Sequence, residues 1–124
     1  QLGLDDALRR AEAYLAAGAD ALFVESPETE DELRQIAAAF KGVPLVANMV
    51  AGGRTPMLPD QTLFELGFQI VIHPTYLLGA LTSGLEQGLA ELVATGQESI
   101  EIAQFDRLNH WVDFEAIWAL DEEV

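Results

Sequence analysis

Cysteine is absent from the 124 residues, which excludes disulfides, thiolate metal sites and a cysteine nucleophile within this stretch and fits a cytoplasmic protein. Basic side chains are scarce. Six Lys+Arg stand against 21 Asp+Glu, a formal charge of −15, which argues against nucleic acid or an anionic membrane as partner. Long apolar runs are missing too: none approaches the roughly 20 residues needed to cross a bilayer, and Gln1-Leu2-Gly3-Leu4 has none of the features of a signal peptide. The acids fall mostly in helical stretches, such as Glu28, Glu30, Asp31, Glu32 and the Asp121-Glu122-Glu123 tail, and read as solvated surface rather than a metal cluster. Half of the residues are hydrophobic, enough for one modest core and one domain.

The most informative stretch is Val43-Pro44-Leu45-Val46-Ala47-Asn48-Met49-Val50-Ala51-Gly52-Gly53-Arg54-Thr55-Pro56. A short apolar run bounded by turn signals reads as a strand buried on both faces of a parallel sheet. A polar residue does not belong inside such a strand, so Asn48 marks its carboxyl end, where parallel α/β folds bind ligands. The same pattern precedes and follows it. Ala21-Leu22-Phe23-Val24 runs into Glu25, and Phe68-Gln69-Ile70-Val71-Ile72 runs into His73-Pro74.

Helices separate these strands. Residues 5–17 carry Leu8, Ala11 and Leu15 on one face, with Asp5 and Asp6 at the positive end and Gly18 as the stop. Thr29 and Glu32 have capping-box spacing before the buried stripe Leu33, Ile36, Ala37, Phe40. Pro59-Asp60 opens a short helix through Leu63 and Leu66 to Gly67. A long helix over about 75–95 carries leucines along one face and Ala80, Gly84 and Gly88 at four-residue spacing, a stripe that lets another backbone come close. Residues 104–124 leave this rhythm: Trp111, Phe114 and Trp118 predict one terminal helix seeking a partner surface.

Strands alternating with helices predict βαβ units with right-handed crossovers, so Glu25, Asn48 and His73 are expected on one rim. Three strands cannot close a barrel, which takes eight strands and roughly 250 residues. The expectation is therefore an α/β chain forming the carboxyl-terminal half of a (β/α)₈ barrel over 1–103, followed by a helical extension over 104–124. It reads as a fragment of something longer.

VANMVAGGRTP, preceded by AGADALFVESP and followed by LGFQIVIHP and a leucine-rich helix, closely resembles the isocitrate lyase / phosphoenolpyruvate mutase superfamily over residues 4–96. The resemblance implies a (β/α)₈ barrel, a Mg²⁺ ion (Mn²⁺ as substitute), and a small 2-hydroxy or 2-oxo carboxylic acid as substrate. Methylisocitrate-lyase-like C–C cleavage is the leading activity, with oxaloacetate decarboxylation and phosphonate rearrangement as alternatives. It also implies a homotetramer with a swapped last helix. By position, Glu25 matches the family's glutamate in the metal and substrate shell, and Asn48 its carboxylate-binding asparagine. Gly52 and Gly53 let the backbone approach a ligand. Arg54 is a carboxylate binder or a surface ion pair, Thr55 a ligand contact or a turn residue, and His73 a proton shuttle or a rim histidine. His73-Pro74 departs from the Tyr-Pro of many relatives. The family's metal-ligating aspartates, an arginine and the lyase cysteine fall upstream of residue 1. His110 lies in the terminal segment, apart from the chemistry. A reading of another class makes the chain a non-catalytic barrel fragment, an assembly module that pairs through its strand edges.

Overall fold

A computed structural model of the chain describes residues 3–98 and 105–122. The elements are α1 (Gly3–Ala16), β1 (Leu22–Phe23), α2 (Glu30–Ala39), β2 (Leu45–Asn48), α3 (Asp60–Leu66), β3 (Ile70–Ile72), α4 (Tyr76–Thr95), α5 (Phe105–Trp111) and α6 (Phe114–Glu122). No described helix is long and apolar enough to cross a membrane. The chain divides into two compact units, Gln1–Leu81 and Thr82–Val124. That division falls inside α4, whereas the expected boundary at 103/104 lies outside the described residues.

In the first unit the strands form a parallel sheet in the order β1-β2-β3. Leu22 pairs with Leu45 and Phe23 with Val46, then Val46 with Ile70, Ala47 with Val71 and Asn48 with Ile72. Just before the first β2–β3 pair, Gln69 clamps the start of β2: its Oε1 accepts from Leu45 N at 2.7 Å, and its own backbone N–H donates to Leu45 O at 3.1 Å. Local chemistry sets the helix ends. Thr29 Oγ1 accepts from Glu32 N at 3.1 Å, and the Glu32 carboxylate reaches back to Glu28 N, so the capping box forms with its return bond one residue early. Gly67 closes α3 at φ 116°, a left-handed conformation that a Cβ would strain.

Alternation along the strands puts Leu22, Leu45 and Ala47 on one face, where they are buried with Leu33, Ile36, Ala37 and Phe40 of α2, Leu63 of α3 and Ala11 of α1. The other face is not covered. Phe23, Ile70 and Ile72 keep 48%, 45% and 38% of their surface exposed. This corrects the expectation of strands buried on both faces: an apolar run shows that both faces prefer burial, but the helices of this chain cover only one.

In the second unit the expected single terminal helix is two. Asp113, at φ 54°, breaks it between α5 and α6. The aromatic stripe is split accordingly: Trp111 lies under Arg107, 4.7 Å from guanidinium carbon to ring centroid, while Phe114 and Trp118 meet edge to face at 5.3 Å. Beyond its own helix backbone, nothing described lies within 4 Å of where a Cβ would stand on Gly84.

Candidate active site

The carboxyl ends of β1 and β2 build the site. Continuing the β1–β2 register by two residues brings Glu25 level with Asn48, the last residue of β2. The chain turns sharply after Glu25 because Ser26 sits at φ 56°, rare for a residue with a Cβ and rarer before a proline. There its Oγ donates to Glu25 Oε1 at 3.0 Å and restrains the carboxylate. Such strain is often held at functional positions.

After β2 the chain wraps back over the same rim. Gly53 N donates to Val50 O at 2.9 Å, closing a tight turn. Both glycines are required there for different reasons. Gly52 takes φ 77°, and a Cβ on Gly53 would stand only 3.0 Å from Val50 O. The turn delivers Arg54 and Thr55 beside the strand ends. A recess of about 260 Å³ results, lined by Glu25, Ser26, Asn48, Gly53, Arg54 and Thr55 together with Val50. Arg54 Nη1 lies 3.7 Å from Glu28 Oε1, both side chains more than half exposed, so this loose pair leaves the guanidinium free to turn toward an anion.

Asn48 differs from its neighbours in one respect. Its Oδ1 is buried without a hydrogen-bond partner, the one such side-chain atom among the described residues. Its Nδ2 is not among those buried and unpaired atoms, and Asn48 lines the recess.

His73 is not part of this cavity. Asn48 is register partner of Ile72, so His73 follows one residue beyond that level, and a one-residue step in a strand sends the side chain to the opposite face. It pairs with Asp60 at the start of α3, Nε2 to Oδ1 2.9 Å. The expected convergence of three strand ends is thus a convergence of two plus the loop after β2. Gly52 shapes the turn without lining the recess. Sequence reading missed Ser26 and Glu28; Ser26 in particular gives no signal, since the residue before a proline ordinarily favours extended backbone.

The sequence profile of the phosphoenolpyruvate phosphomutase family matches residues 1–93, three quarters of the chain. The chain belongs to that family. Among curated relatives of this phosphoenolpyruvate phosphomutase family member, 2,3-dimethylmalate lyase of Eubacterium barkeri is 47% identical over 83 residues, covering 67% of this chain and 28% of the relative. The 2-methylisocitrate lyase of Bacillus subtilis is 37% identical over 124 residues, covering 94% of this chain and 40% of the relative. The chain therefore spans well under half the length of either enzyme. Among solved structures, a 2,3-dimethylmalate lyase of the PEP mutase/isocitrate lyase superfamily aligns at TM-score 0.82 and 26% identity over 99% of this chain and 44% of that one. A phosphonopyruvate hydrolase solved with oxalate and Mg²⁺ aligns at TM-score 0.76 and 25% identity over 98% and 44%. The relatives named here include lyases, and the α/β fold described above matches theirs.

Proposed function

We propose that the protein to which this chain belongs is a Mg²⁺-dependent lyase, with Mn²⁺ as substitute, that cleaves a C–C bond of a small 2-hydroxy or 2-oxo carboxylic acid as methylisocitrate lyase does. The observation that carries the reading is the recess in which Glu25, Asn48 and Arg54 meet. The names of the two lyase relatives support the bond type.

The residues suit such a substrate. The Asn48 Nδ2 group supplies donors without charge, and the Arg54 guanidinium supplies a planar fork that matches a carboxylate. Asn48 and Arg54 therefore hold a substrate carboxylate, Gly53 lets the substrate lie against the loop backbone, and Thr55 closes the side of the recess. Glu25, restrained by Ser26, holds a proton-donating group, either a substrate hydroxyl or a water.

The fit to a divalent ion is partial. No group of three His, Cys, Asp or Glu able to hold a metal occurs among the described residues, and the recess has one carboxylate. Glu25 thus suits a place around the ion's waters, accepting a hydrogen bond from one of them, with direct ligands outside this chain's site. When bound, the ion supplies charge stabilisation for an enolate-like oxygen.

Oxaloacetate decarboxylation would use the same carboxylate-binding recess and is the nearest alternative. Phosphonate rearrangement stands third, favoured by the family description and by the phosphonopyruvate hydrolase likeness. The 124 residues alone suit a non-catalytic assembly module, since Phe23, Ile70 and Ile72 remain uncovered. The aromatic surface around Trp111 and Trp118 supports a homo-oligomer, the family-like tetramer included. Assaying the full-length protein with Mg²⁺ on methylisocitrate, dimethylmalate and oxaloacetate tests the reading. Pyruvate from either of the first two is expected, and no turnover of any of the three would sink it.

A further inference from the structure

We infer that the small cavity behind Asn48 is a binding site for a single water molecule, which holds the Asn48 amide with its nitrogen toward the recess. The inference rests on the carboxylate-binding reading only for its functional consequence.

Asn48 Oδ1 cannot be facing the recess of about 260 Å³, because that recess opens to solvent and an oxygen pointing into it would be exposed rather than buried. The buried oxygen therefore turns inward. On that side lies a second cavity of about 10 Å³, lined by Asn48 with Ser26 and Thr55 and otherwise by apolar side chains such as Phe23, Leu33 and Phe68. This is the scale of one water molecule, about 10–15 Å³ of probe-occupied volume. Apolar cavities of this kind stay dry, whereas one with two or more polar partners holds water.

The hydrogen bonds close around that water. Ser26 commits its hydroxyl proton to Glu25, so its oxygen remains an acceptor. The water donates one proton to Asn48 Oδ1 and the other to Ser26 Oγ, and accepts from Thr55 Oγ1. A buried carbonyl oxygen that lacked such a donor would be costly. The opposite amide orientation is disfavoured from the other side, since it would put Oδ1 in the recess that the Glu25 carboxylate also lines, acceptor beside acceptor. Ser26 and Thr55 are thereby positioning residues: through the water they fix which end of Asn48 the substrate meets, and couple Asn48 to Glu25.

The test joins a crystal structure of the full-length protein, at a resolution that shows ordered waters, to oxalate titration of variants. One water within hydrogen-bond distance of Asn48 Oδ1, Ser26 and Thr55 is expected. Thr55→Val, which keeps the shape and removes the hydroxyl, should weaken oxalate binding about five- to tenfold. Thr55→Ser should restore it, and Ser26→Ala should weaken it independently. A dry cavity, or an amide with Oδ1 facing the recess, would overturn the inference, as would Thr55→Val binding oxalate as tightly as the wild type. If the wild type binds no oxalate, the carboxylate reading fails, and the water seen or missing in the crystal structure decides the hydration site alone.

Discussion

His73 Nε2 lies 2.9 Å from Asp60 Oδ1, tying the end of β3 to the first residue of α3 rather than to the recess at Asn48. The pair is part-exposed, so its contribution is that of a surface bridge, about 0–1 kcal/mol. His73→Ala in the full-length protein should leave kcat and KM within about twofold of wild type, while Tm falls slightly. A loss of kcat/KM of about tenfold or more, some 1.4 kcal/mol of transition-state binding, would return the imidazole to the chemistry.

Asn48 is the residue whose loss should act on binding. Removing a donor to a charged group costs about 1.5–3 kcal/mol, so Asn48→Ala should raise KM about ten- to hundredfold with a smaller change in kcat. Steady-state kinetics on the full-length protein would show it. An unchanged KM would place the substrate elsewhere.

Leu63, with 0% exposure, and Gly67, at φ 116°, anchor α3 in different ways. Leu63→Ala leaves a cavity between α3 and the sheet and should lower stability by about 2–5 kcal/mol. Gly67→Ala meets only Ala37 Cβ at 3.8 Å, so its cost is backbone strain rather than collision, about 1–2 kcal/mol. Denaturant midpoints of the full-length variants would rank the two, and the prediction fails if Gly67→Ala proves the worse.

Asp6 is the one described carboxylate held clearly below its ordinary value of 3.8; the hydrogen bond from Arg9 is the main cause, opposed by partial burial and helped by Arg10. A carboxyl group depressed in the folded state stabilises above its unfolded pKa and loses that contribution as pH falls through the lower folded value. The start of α1 should therefore hold at pH 5 to 7, well above 3.8, and loosen only below it. Amide exchange in α1 should show this acid-dependent fraying, and Asp6→Asn should abolish the dependence. Fraying that sets in near neutral pH would contradict the assignment.

Much of this molecule is legible in the linear chain because its signals are local. The apolar run Leu45-Val46-Ala47 ending in Asn48 announces a strand, Thr29 and Glu32 announce a helix start, and Gly67 announces a stop. Asn48 and Glu25 are likewise readable as strand-end groups, each the first polar residue after an apolar run, and the two line one recess. The break at Asp113 was not readable, since Trp111, Phe114 and Trp118 keep helical spacing across it.

What the amino-acid order determined by itself was the succession of helices and strands from α1 to α4 and the rim on which polar groups collect, for both follow from side-chain periodicity and the parallel βαβ connection. Only the tertiary structure decided which of those groups share a cavity. Strand pairing sets Ile72, not His73, level with Asn48, and in a strand one residue is the difference between the two faces. It also decided that the Asn48 Oδ1 is buried and which sheet face stays open, because both depend on what lies across space from a residue rather than beside it in the chain.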